Sequence, residues 1–425
     1  MKQNWHFMFK LYSFIIKVFA TIGIYSFLLI PTGCSKEIER NQHPDLNISY
    51  IAEGLNVKLI GNAIDADGFI TELKIEWDDG KTSILYNNNY PNLEFSHLYT
   101  EPADLSIMIT AIDNTGDTTL QILPIKIDFK ETSLAGIKES MFKTSENEFL
   151  ILTLNLHTYQ ETQQSEKLNM ITDVIGKMDI DFVAFQECAQ NKSALIYNGI
   201  IRSDNMALII TDKLKEKYTL NYNYIWNWAH YGWNIWEEGV AVLSKHPITD
   251  SEDKYISTRM EVNNITSRKV IYGNYLTSAG HINIFSAHVH WRTSLTDEEQ
   301  NNQIKKIQSM VNEKELLSPS LGSFVCGDFN GNPTDEYPWS EGYNTMTMTN
   351  IYLDSFLKAN PDANNRPAQS KYFTIGGSFP GRIDYIFMKN NSDLIVVESQ
   401  IIFTDNIVGN VSDHNGVLTK VIYNP

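Results

Sequence analysis

Basic residues and long apolar runs are scarce in this sequence. The 425 residues include 34 Lys and Arg against 51 Asp and Glu, which gives a formal charge of −17 at neutral pH. A surface of this sign repels polyanions, which argues against a sequence-tolerant nucleic-acid binder that relies on a basic surface. The charge is compatible with an enzyme that holds one phosphate through a metal ion. The apolar run at residues 18–30 is shorter than the ~20 residues that a membrane-spanning helix needs.

Cysteine is also scarce, with three residues in the whole chain. Two of them, Cys188 and Cys326, lie beside apolar, strand-like runs, so we expect buried free thiols at both positions. A disulfide between these two residues stays open, because the sequence alone does not fix cysteine pairing outside the cytoplasm. The third cysteine, Cys34, lies in a different context near the N-terminus.

The first 33 residues have the composition of a secretory signal. They carry Lys2 and Lys10, no acidic residue, and the apolar run at 18–30, which is followed by "PTGC". Gly33 is the kind of small residue that a signal peptidase prefers at the cleavage site. In these features the segment, residues 1–33, resembles a bacterial lipoprotein signal peptide.

This resemblance implies that Cys34 becomes the lipidated first residue of the mature protein. The expected location is therefore extracytoplasmic, with the protein lipid-anchored to a bacterial membrane, preferably the outer one, and facing the periplasm or the cell surface. An uncleaved anchor and a plain secretory cleavage are the alternatives. Removal of residues 1–33 takes away three lysines and no acid, so the formal charge becomes about −20.

Residues 45–130 alternate short β-rich runs with turn signals, and the length of the chain favours a second domain beyond them. The runs include "NVKLIGNAIDADGFI", "ELKIEWDDGKTSIL" and "LSIMITAIDNTGDTTLQILPIKI". Short strands at this spacing predict an all-β sandwich. The order of "DADG", "IEWDDG", "FSHLY" and "ITAIDNTGD" resembles polycystic-kidney-disease-type (PKD) immunoglobulin-like modules. The resemblance implies a spacer or adhesion module beside an extracellular enzyme.

Four aspartates lie in turn-like stretches of this region: Asp65, Asp67, Asp78 and Asp79. Carboxylate oxygens suit a hard cation, so a Ca²⁺ site in the N-terminal module is one interpretation. Aspartate is also one of the residues that tight turns favour. The sequence therefore favours turn residues over a calcium site.

Residues 131–147 are polar and aperiodic, which predicts a linker to a domain at residues 148–425. In that domain, Thr296 with Glu299 three residues later has the pattern of a capping box at the start of a helix. Apolar residues at helical spacing predict another helix: Leu168, Ile171, Ile175 and Met178. Strand-like runs surround these helices: "FLILTLN", "DFVAFQE", "GVAVLSK", "HINIFSAH", "SFVCGDFN", "RIDYIFMK" and "VLTKVIY". Interleaved strands and helices over this length predict an α/β or α+β enzyme domain.

Polar residues collect at or near the ends of these predicted strands. They are Asn155, Glu187, Glu238, His288, Asp328, Asn330, Asp384, Asp413 and His414. Each residue alone has a structural interpretation as a cap or a turn residue. Loops at strand ends, held by a rigid sheet, are also where functional sites are built. So many such residues in one domain favour a functional site over packing.

The order of these motifs carries a family resemblance. The series "LTLNLH", "FQE", "EGVAVLSKHPI", "SRK", "FSAHVHW", "GDFNGNP", "GRIDYIF" and "SDHNGV" resembles the endonuclease/exonuclease/phosphatase superfamily over residues 148–425. That superfamily includes deoxyribonuclease I, abasic-site endonucleases, bacterial sphingomyelinases and inositol polyphosphate phosphatases. The resemblance implies a four-layer α/β/β/α sandwich, an α+β fold, and hydrolysis of a phosphate ester with a divalent cation.

The residue types suit this chemistry, because a phosphodiester repels nucleophiles and the site must neutralise charge and position a water. Glu187 offers a hard oxygen ligand for Mg²⁺ or Mn²⁺. By resemblance, Asn155 and Asp413 belong to the same metal region. Also by resemblance, Asp328 orients and deprotonates the attacking water, and Asn330 donates to the phosphate oxygens.

The resemblance assigns further roles around the phosphate. His414 acts as a cationic donor to the phosphate or the leaving oxygen, and Asp384 is the acceptor that orients it. His288 is expected to pair with Glu238, following the deoxyribonuclease I pattern. Arg268, in "SRK", is expected to reach a phosphate oxygen.

An aromatic stretch precedes Glu238. Trp233 and Trp236 follow a glycine, and a loop at the cleft rim would expose both side chains to stack on a base, a sugar or a choline head group. Four aromatic residues upstream alternate with period two and predict a core-facing strand: Tyr222, Tyr224, Trp226 and Trp228.

The sequence therefore predicts a secreted, lipid-anchored, metal-dependent phosphoesterase. Phosphodiesters are the favoured substrates, and a small or membrane-borne one, such as a sphingomyelin-like phospholipid, is favoured over duplex DNA. An endonuclease acting on extracellular DNA or RNA is the first alternative. A surface adhesion lipoprotein with an inactive hydrolase-like domain is the second.

Overall fold

A computed structural model describes residues 40–294, 296–333, 341–365, 370–378 and 380–424. The predicted signal peptide and the predicted lipidation site Cys34 lie outside these residues, so both stay predictions. Within the described part of the chain, no helix is long and apolar enough to cross a membrane.

The N-terminal module consists of β-strands only. Its seven strands are β1 (Asp45–Glu53), β2 (Asn56–Ile64), β3 (Ile70–Glu76), β4 (Thr82–Tyr86), β5 (Tyr90–Leu98), β6 (Ala103–Asp113) and β7 (Thr118–Ile127). They form a three-stranded sheet, β1-β2-β5, and a four-stranded sheet, β4-β3-β6-β7. Buried side chains of both sheets share one core that includes Val57, Ile75 and Trp77. The all-β composition agrees with the sequence, whereas the PKD-type assignment stays a prediction.

The four aspartates that suggested calcium do not converge on one site. Asp78 accepts a hydrogen bond from the Ser106 amide at 2.9 Å, and Asp79 contacts His97 at 2.9 Å. Asp65 accepts one from the Asp67 amide. Among the described residues, no group of three candidate ligands lies in this module. The turn interpretation therefore fits these residues better than the calcium interpretation.

The segment 131–147 packs on the second domain. The side chains of Leu134, Ile137 and Phe142 lie against a core of that domain. The hydroxyl of Ser140 donates to Glu398 at 2.8 Å. This short segment is therefore held by apolar contacts as well as by polar ones.

The second domain contains two six-stranded sheets, ordered β12-β13-β9-β8-β21-β20 and β14-β15-β16-β17-β19-β18. A separate two-stranded hairpin consists of β10 (Ile196–Asn198) and β11 (Ile201–Arg202). The sheet strands are β8 (Glu148–Asn155), β9 (Phe182–Asn191), β12 (Asn223–Gly232), β13 (Trp236–Ser244), β14 (Ile248–Tyr255), β15 (Lys269–Leu276), β16 (His281–His288), β17 (Gly322–Asp328), β18 (Tyr352–Asp354), β19 (Asp384–Lys389), β20 (Leu394–Ile402) and β21 (Gly416–Tyr423).

Helices cover the outer faces of the two sheets. They are α1 (Gln164–Met178), α2 (Met206–Tyr218), α3 (Glu299–Leu317) and α4 (Glu341–Thr347), whereas the short α5 (Ser355–Ala359) packs through Phe356 on Ile401 of β20. Residues of α1 and α2 share a core with the first sheet, and residues of α3 and α4 share one with the second. A third core, which includes Phe182, Ile284 and Phe324, lies between the sheets. The order of layers is therefore helix, sheet, sheet, helix, as the family resemblance implied.

The predicted helices are present, but the capping box is wrong. α1 buries Leu168, Ile171, Ile175 and Met178 as predicted. At the start of α3, the Glu299 amide donates to Asp297 at 3.0 Å. The carboxylate of Glu299 instead accepts from the amide and hydroxyl of Thr258, at 2.7 and 2.6 Å. The Glu299 side chain thus makes a tertiary contact with Thr258 instead of the capping contact that the local sequence pattern predicted.

The aromatic stretch before Glu238 forms a core-facing strand, as predicted. Tyr222 and Trp226 are buried, and Tyr224 and Trp228 pack against the same core. The indole nitrogen of Trp226 donates to the Cys188 carbonyl at 2.8 Å. The two thiols of Cys188 and Cys326 are buried and free, as expected.

Candidate active site

Neighbouring strands of the second sheet bring three predicted residues to one end. His288 ends β16 in register with Asp328, which ends β17, and Asp328 is in register with Asp384, which begins β19. The close approach of β16 and β17 requires glycine at position 327. Its φ is +147°, and a Cβ there would lie 1.9 Å from the Ala287 carbonyl oxygen. Sheet register therefore sets the spacing of these side chains.

Asp328 lies at the centre of the group. Its carboxylate accepts a hydrogen bond from the backbone amide of Asn330 at 2.8 Å and one from Asn155 Nδ2 at 3.1 Å. His288 Nε2 lies 3.6 Å and His414 Nε2 3.8 Å from the same carboxylate. Burial, together with the charge of Asp384, raises the pKa of Asp328 to about 7. A carboxylate with this pKa is suited to exchange a proton near neutral pH.

Glu187 comes from the first sheet and faces the same group. Asn155, which ends β8, donates to Glu187 Oε1 at 3.0 Å and so links the two carboxylates. The backbone of Glu187 is left-handed, with φ of +46°, inside the extended strand β9. Such a conformation is strained for a residue with a side chain and is typical of functional positions. Burial and the nearby charge of Glu238 raise the pKa of Glu187 to about 7.

His414 and Asp384 form the predicted pair. His414 Nδ1 lies 2.9 Å from Asp384 Oδ2, and both side chains are buried. Burial alone would lower the pKa of His414, but the charge and hydrogen bond of Asp384 outweigh it and raise the pKa to about 10. At neutral pH the ring is therefore a cation with Nε2–H directed toward Asp328. The other oxygen of Asp384 is buried and has no hydrogen-bond partner in the part of the chain that the structure describes.

The expected pairing of His288 with Glu238 is wrong. His288 Nε2 instead lies 3.2 Å from Asn330 Nδ2, which also donates to the Val289 carbonyl at 3.0 Å. Burial and the nearby positive charge of Arg268 hold the pKa of His288 well below its usual range, so its ring is neutral. The side-chain amide of Asn330 therefore positions His288. Its hydrogens are directed to His288 and to the Val289 carbonyl, so the predicted donation from Asn330 to phosphate oxygens finds no support in this geometry.

Glu238 pairs with a histidine that the sequence did not single out. Its Oε1 lies 3.1 Å from His230 Nε2, and its Oε2 accepts from the Thr158 hydroxyl at 2.8 Å. Thr158 Oγ1 is also 3.2 Å from Glu187 Oε2, so one hydroxyl lies between the two carboxylates. Although burial opposes ionisation, His230 holds the pKa of Glu238 below its ordinary value. Glu238 thus belongs to a second group of residues, with His230 and Thr158, which contacts Glu187 through the Thr158 hydroxyl.

Arg268 is buried beside the group formed by Glu238, His230 and Thr158. Its guanidinium donates to the Ile265 carbonyl at 2.6 Å, and its charge acts on Glu238, Glu187 and Asp328. Among the described residues, the buried Nε atom has no hydrogen-bond partner. The Trp291 ring centre lies 5.4 Å from the guanidinium carbon. A cation with an unsatisfied donor at this position is suited to an anionic group.

Asp413 does not join the carboxylates at the centre. Its Oδ1 lies 3.5 Å from His157 Nδ1, which in turn is 2.7 Å from Glu161. These three residues form a separate group of possible ligands. The predicted role of Asp413 as a ligand beside Glu187 therefore finds no support in the geometry.

The two tryptophans predicted at the cleft rim differ in exposure. Trp233 lies on the turn between β12 and β13, with 55% of its surface exposed. Trp236 is the first residue of β13 and stacks on Tyr159, with ring centres 4.6 Å apart. Trp233 is therefore available for a ligand, whereas the prediction of an exposed loop position for Trp236 is wrong.

The central group fits a divalent cation. Ligand atoms of Glu187, His288 and Asp328 lie within 4.8 Å of one another, and Asp328 shares a second such group with Asp384 and His414. The raised pKa values of Glu187 and Asp328 reflect the cost of two buried negative charges, which a cation would relieve. Carboxylate oxygens are ligands that Mg²⁺ and Mn²⁺ favour. Glu187 is the residue placed to hold the ion, and Asp328 lies beside it.

Sequence patterns missed Thr158 and His230 for a local reason. Thr158 lies in a short turn, His157–Tyr159, whose residues all have left-handed backbone. A β-branched residue in this conformation is rare, so no sequence signal predicts it. For His230, a register shift in the pairing of β12 with β13 lies between Trp228 and His230. The period-two pattern does not carry across such an irregularity.

Comparison with known proteins agrees with this architecture. A family model described as endonuclease/exonuclease/phosphatase family matches residues 152–414. A family protein of that description from Leptotrichia buccalis is 26% identical, with a TM-score of 0.55, over 64% of this chain and 99% of its own. An endonuclease/exonuclease/phosphatase from Beutenbergia cavernae shares the fold at 17% identity and a TM-score of 0.50, over 65% and 72% of the two chains.

No curated protein matches the chain. The family model nevertheless spans more than half of the sequence, including every central residue of the site from Asn155 to His414. The chain therefore belongs to the endonuclease/exonuclease/phosphatase family.

Proposed function

We propose that this chain is a divalent-cation-dependent phosphoesterase that hydrolyses phosphodiester bonds. The observation that carries the proposal is the environment of Asp328. Its buried carboxylate accepts from Asn155 and lies within 3.8 Å of a neutral and a cationic histidine, His288 and His414. This combination supplies a proton acceptor and a proton donor side by side, as ester hydrolysis requires.

Asp328 is assigned to orient the attacking water and accept its proton. Asn155 and the Asn330 amide hold the carboxylate in place from two sides. His414, kept cationic by Asp384, donates to a phosphate oxygen or to the leaving oxygen. Arg268 contributes positive charge from behind Glu238. A divalent cation, when bound, would draw negative charge from the phosphate and so lower the barrier to attack.

The turnover of bis(p-nitrophenyl) phosphate tests this proposal. Activity should appear with Mg²⁺ or Mn²⁺, be absent in EDTA, and fall by roughly 10²–10³-fold in Asp328→Asn. Asp297→Asn, which removes a carboxylate outside the site, is the matched control. A wild-type chain that folds, binds Mn²⁺ and hydrolyses no phosphate ester would instead support the adhesion alternative.

The substrate assigned here is a small or membrane-borne phosphodiester. A chain of formal charge −17 does not attract long polyanions, and Trp233 offers an exposed ring near the site. A nucleic acid is the alternative substrate for the same residues. Parallel assays with sphingomyelin vesicles, DNA and RNA distinguish them, because preferential cleavage of either nucleic acid would favour the alternative.

We also propose that the mature protein is extracytoplasmic and anchored through a lipid on Cys34. The support is the composition of residues 1–33, with their basic start and apolar run. Fractionation of bacteria that express wild type and Cys34→Ser tests this. We expect the wild-type protein in the membrane fraction and the variant released, and a mature N-terminus at Met1 would contradict the proposal.

A further inference from the structure

Gln300, in the first turn of α3, reaches the two connections that follow the strands of the candidate site. Its side chain is buried, and its Nε2 atom donates to backbone carbonyl groups of both connections. The acceptors are His290 after β16, at 2.9 Å, and Phe329 and Asn330 after β17, at 3.0 and 3.1 Å. Because an amide nitrogen carries two hydrogens, one hydrogen is shared between two of these acceptors. One side chain therefore joins the ends of both strands.

The Gln300 amide is oriented by its donor atom. The neighbours of Nε2 are carbonyl oxygens, so the nitrogen of the amide must face them and the oxygen must point away. Gln300 Oε1 is buried, and among the described residues it has no hydrogen-bond partner. Gly342 of α4 leaves room for this oxygen, since a Cβ at position 342 would lie 2.4 Å from Oε1 and 2.8 Å from Cδ. A buried oxygen left unsatisfied in this way favours a functional reason for the position of the amide.

Asn330 connects the Gln300 amide to the candidate catalytic group. The carbonyl group of Asn330 accepts from Gln300, while its backbone amide donates to Asp328 at 2.8 Å. The side-chain nitrogen of Asn330 lies 3.2 Å from His288 Nε2. The position of the Asn330 backbone therefore decides how Asp328 and His288 are held, and Gln300 fixes that position.

We propose that Gln300 is a positioning residue of the phosphoesterase site. It holds the connection after β17 against the connection after β16, and so keeps Asp328 and His288 at their separation of 3.6 Å. Gln300 acts through backbone carbonyl groups and not on the reacting atoms. A displacement of ~1 Å in a catalytic group can cost about 100-fold in rate, so a link of this kind affects turnover. The role in turnover rests on the proposed function, whereas the link between the connections stands on the hydrogen bonds alone.

Gln303, three residues further along α3, supplies the matched control. It is equally buried, its Oε1 accepts from the His290 amide at 2.9 Å, and its Nε2 donates to Glu299 at 2.9 Å. Within the described part of the chain, Gln303 forms no hydrogen bond with the connection after β17. Alanine is favourable in a helix at both positions. The variants Gln300→Ala and Gln303→Ala therefore differ mainly in whether the connection after β17 is released.

Steady-state turnover of bis(p-nitrophenyl) phosphate compares the full-length variants with wild type. We expect Gln300→Ala to lower kcat roughly 10- to 100-fold with little change in KM, and Gln303→Ala to lower kcat by less than about threefold. Gly342→Ala, whose added Cβ would push the Gln300 amide aside, should also lower kcat. In the Gln300→Ala background the same change should add little, because its effect passes through the amide. Equal losses in Gln300→Ala and Gln303→Ala, or additive losses from Gln300→Ala and Gly342→Ala, would overturn the proposal.

Hydrogen exchange of the backbone amides at residues 327–331 gives a measurement that needs no turnover. We expect faster exchange there in Gln300→Ala than in wild type or Gln303→Ala, because the connection after β17 opens more often. If Gln300→Ala does not fold, Gly342→Ala carries both comparisons with the Gln300 side chain still present. Unchanged exchange would overturn the link between the connections, whatever the activity. Faster exchange in a protein whose wild type hydrolyses no phosphate ester would keep the link and reject the proposed function, together with the role of Gln300 in it.

Discussion

Glu187 and Asp328 concentrate negative charge at a buried position. Their ligand atoms, with that of His288, lie within 4.8 Å of one another, and Asn155 donates to both carboxylates. A single amide cannot neutralise two charges, so burial raises the pKa of each carboxyl group to about 7. The residues are thus arranged to gain from a bound cation, at the expense of their own solvation.

Glu187→Gln should show the contribution of the Glu187 charge to cation binding most directly. The substitution keeps the shape of the side chain and removes the charge, so we expect roughly 100-fold weaker activation by Mg²⁺. Titration of activity with Mg²⁺, alongside direct Mn²⁺ binding by calorimetry, measures the change. The matched control is Glu166→Gln on α1. Full activity of the wild type in EDTA would contradict the assignment.

His414 and Asp384 should behave as one unit. Because Asp384 fixes the orientation and charge of His414, changing both to alanine should cost little more activity than the worse single change. Measured kcat/KM values of wild type, both single variants and the double variant give the comparison. Fully additive losses would show that the two residues act separately.

The sequence predicted the residues of the site better than their partners. The motif order indicated that Asp384, His414, Asp328 and Glu187 belong together. Strand register places Asp328 beside Asp384, while Asn155 links Asp328 to Glu187 and Asp384 contacts His414. The partner of Glu238 was mispredicted, because strand position does not show which neighbouring strand supplies the contact. His230 reaches Glu238 across the irregular pairing of β12 with β13, which no period-two pattern shows.

At the scale of secondary-structure elements, the pairing of β16 with β17 sets the geometry of the candidate site. Gly327→Ala should disturb it, because a Cβ would lie 1.9 Å from the Ala287 carbonyl and φ is +147°. We expect a loss of about 1–3 kcal/mol in the free energy of unfolding, with reduced kcat from the displaced Asp328. Denaturant unfolding and steady-state kinetics measure both. Gly199→Ala, at a turn with open space around it but with φ of +56°, is a control for backbone strain alone.

A turn of the N-terminal module gives a pH prediction. Asp113 ends β6 and accepts from the amides of Thr115 and Asp117, both at 2.8 Å, and from Asn41 at 2.7 Å. Burial alone would raise the pKa of Asp113, but these hydrogen bonds outweigh it and lower the pKa from 3.8 to about 2. The stability that Asp113 contributes is therefore fully present above pH 4 and is lost as the pH falls through about 2.

Asp113→Ala should accordingly lower the midpoint of thermal unfolding at pH 7, and the difference from wild type should shrink between pH 4 and 2. Asp104→Ala, an exposed carboxylate on the same strand, should show little effect at any pH. Calorimetry of the full chain across this range makes the comparison. A difference that stays constant down to pH 2 would contradict the role of the ionised carboxylate.

At the scale of the whole molecule, periodicity predicted helices and strands, while the family resemblance supplied the order of the layers. Local patterns failed where a tertiary contact competed with them. Glu299 is bound by Thr258 instead of capping its own helix, and Trp236 is stacked on Tyr159 instead of exposed on a loop. Such contacts depend on residues distant in sequence, so they are known only once the fold is known.

The charge of the chain should distinguish its substrates. A formal charge of −17 repels DNA most strongly at low ionic strength, so hydrolysis of DNA should be slow there and should rise as salt screens the repulsion. Hydrolysis of a zwitterionic lipid ester should change little with salt and should fall in Trp233→Ala, which removes an exposed ring beside the site. Trp226→Phe, in the core, is a control for the loss of indole without loss of exposed surface. The test measures the hydrolysis rates of both substrates at salt concentrations from about 10 mM to about 500 mM. Over this range the Debye length falls from about 30 Å to a few Å. Rapid DNA cleavage at low salt that does not depend on Trp233 would reject the lipid substrate and keep the catalytic residues, because the same group around Asp328 serves either ester.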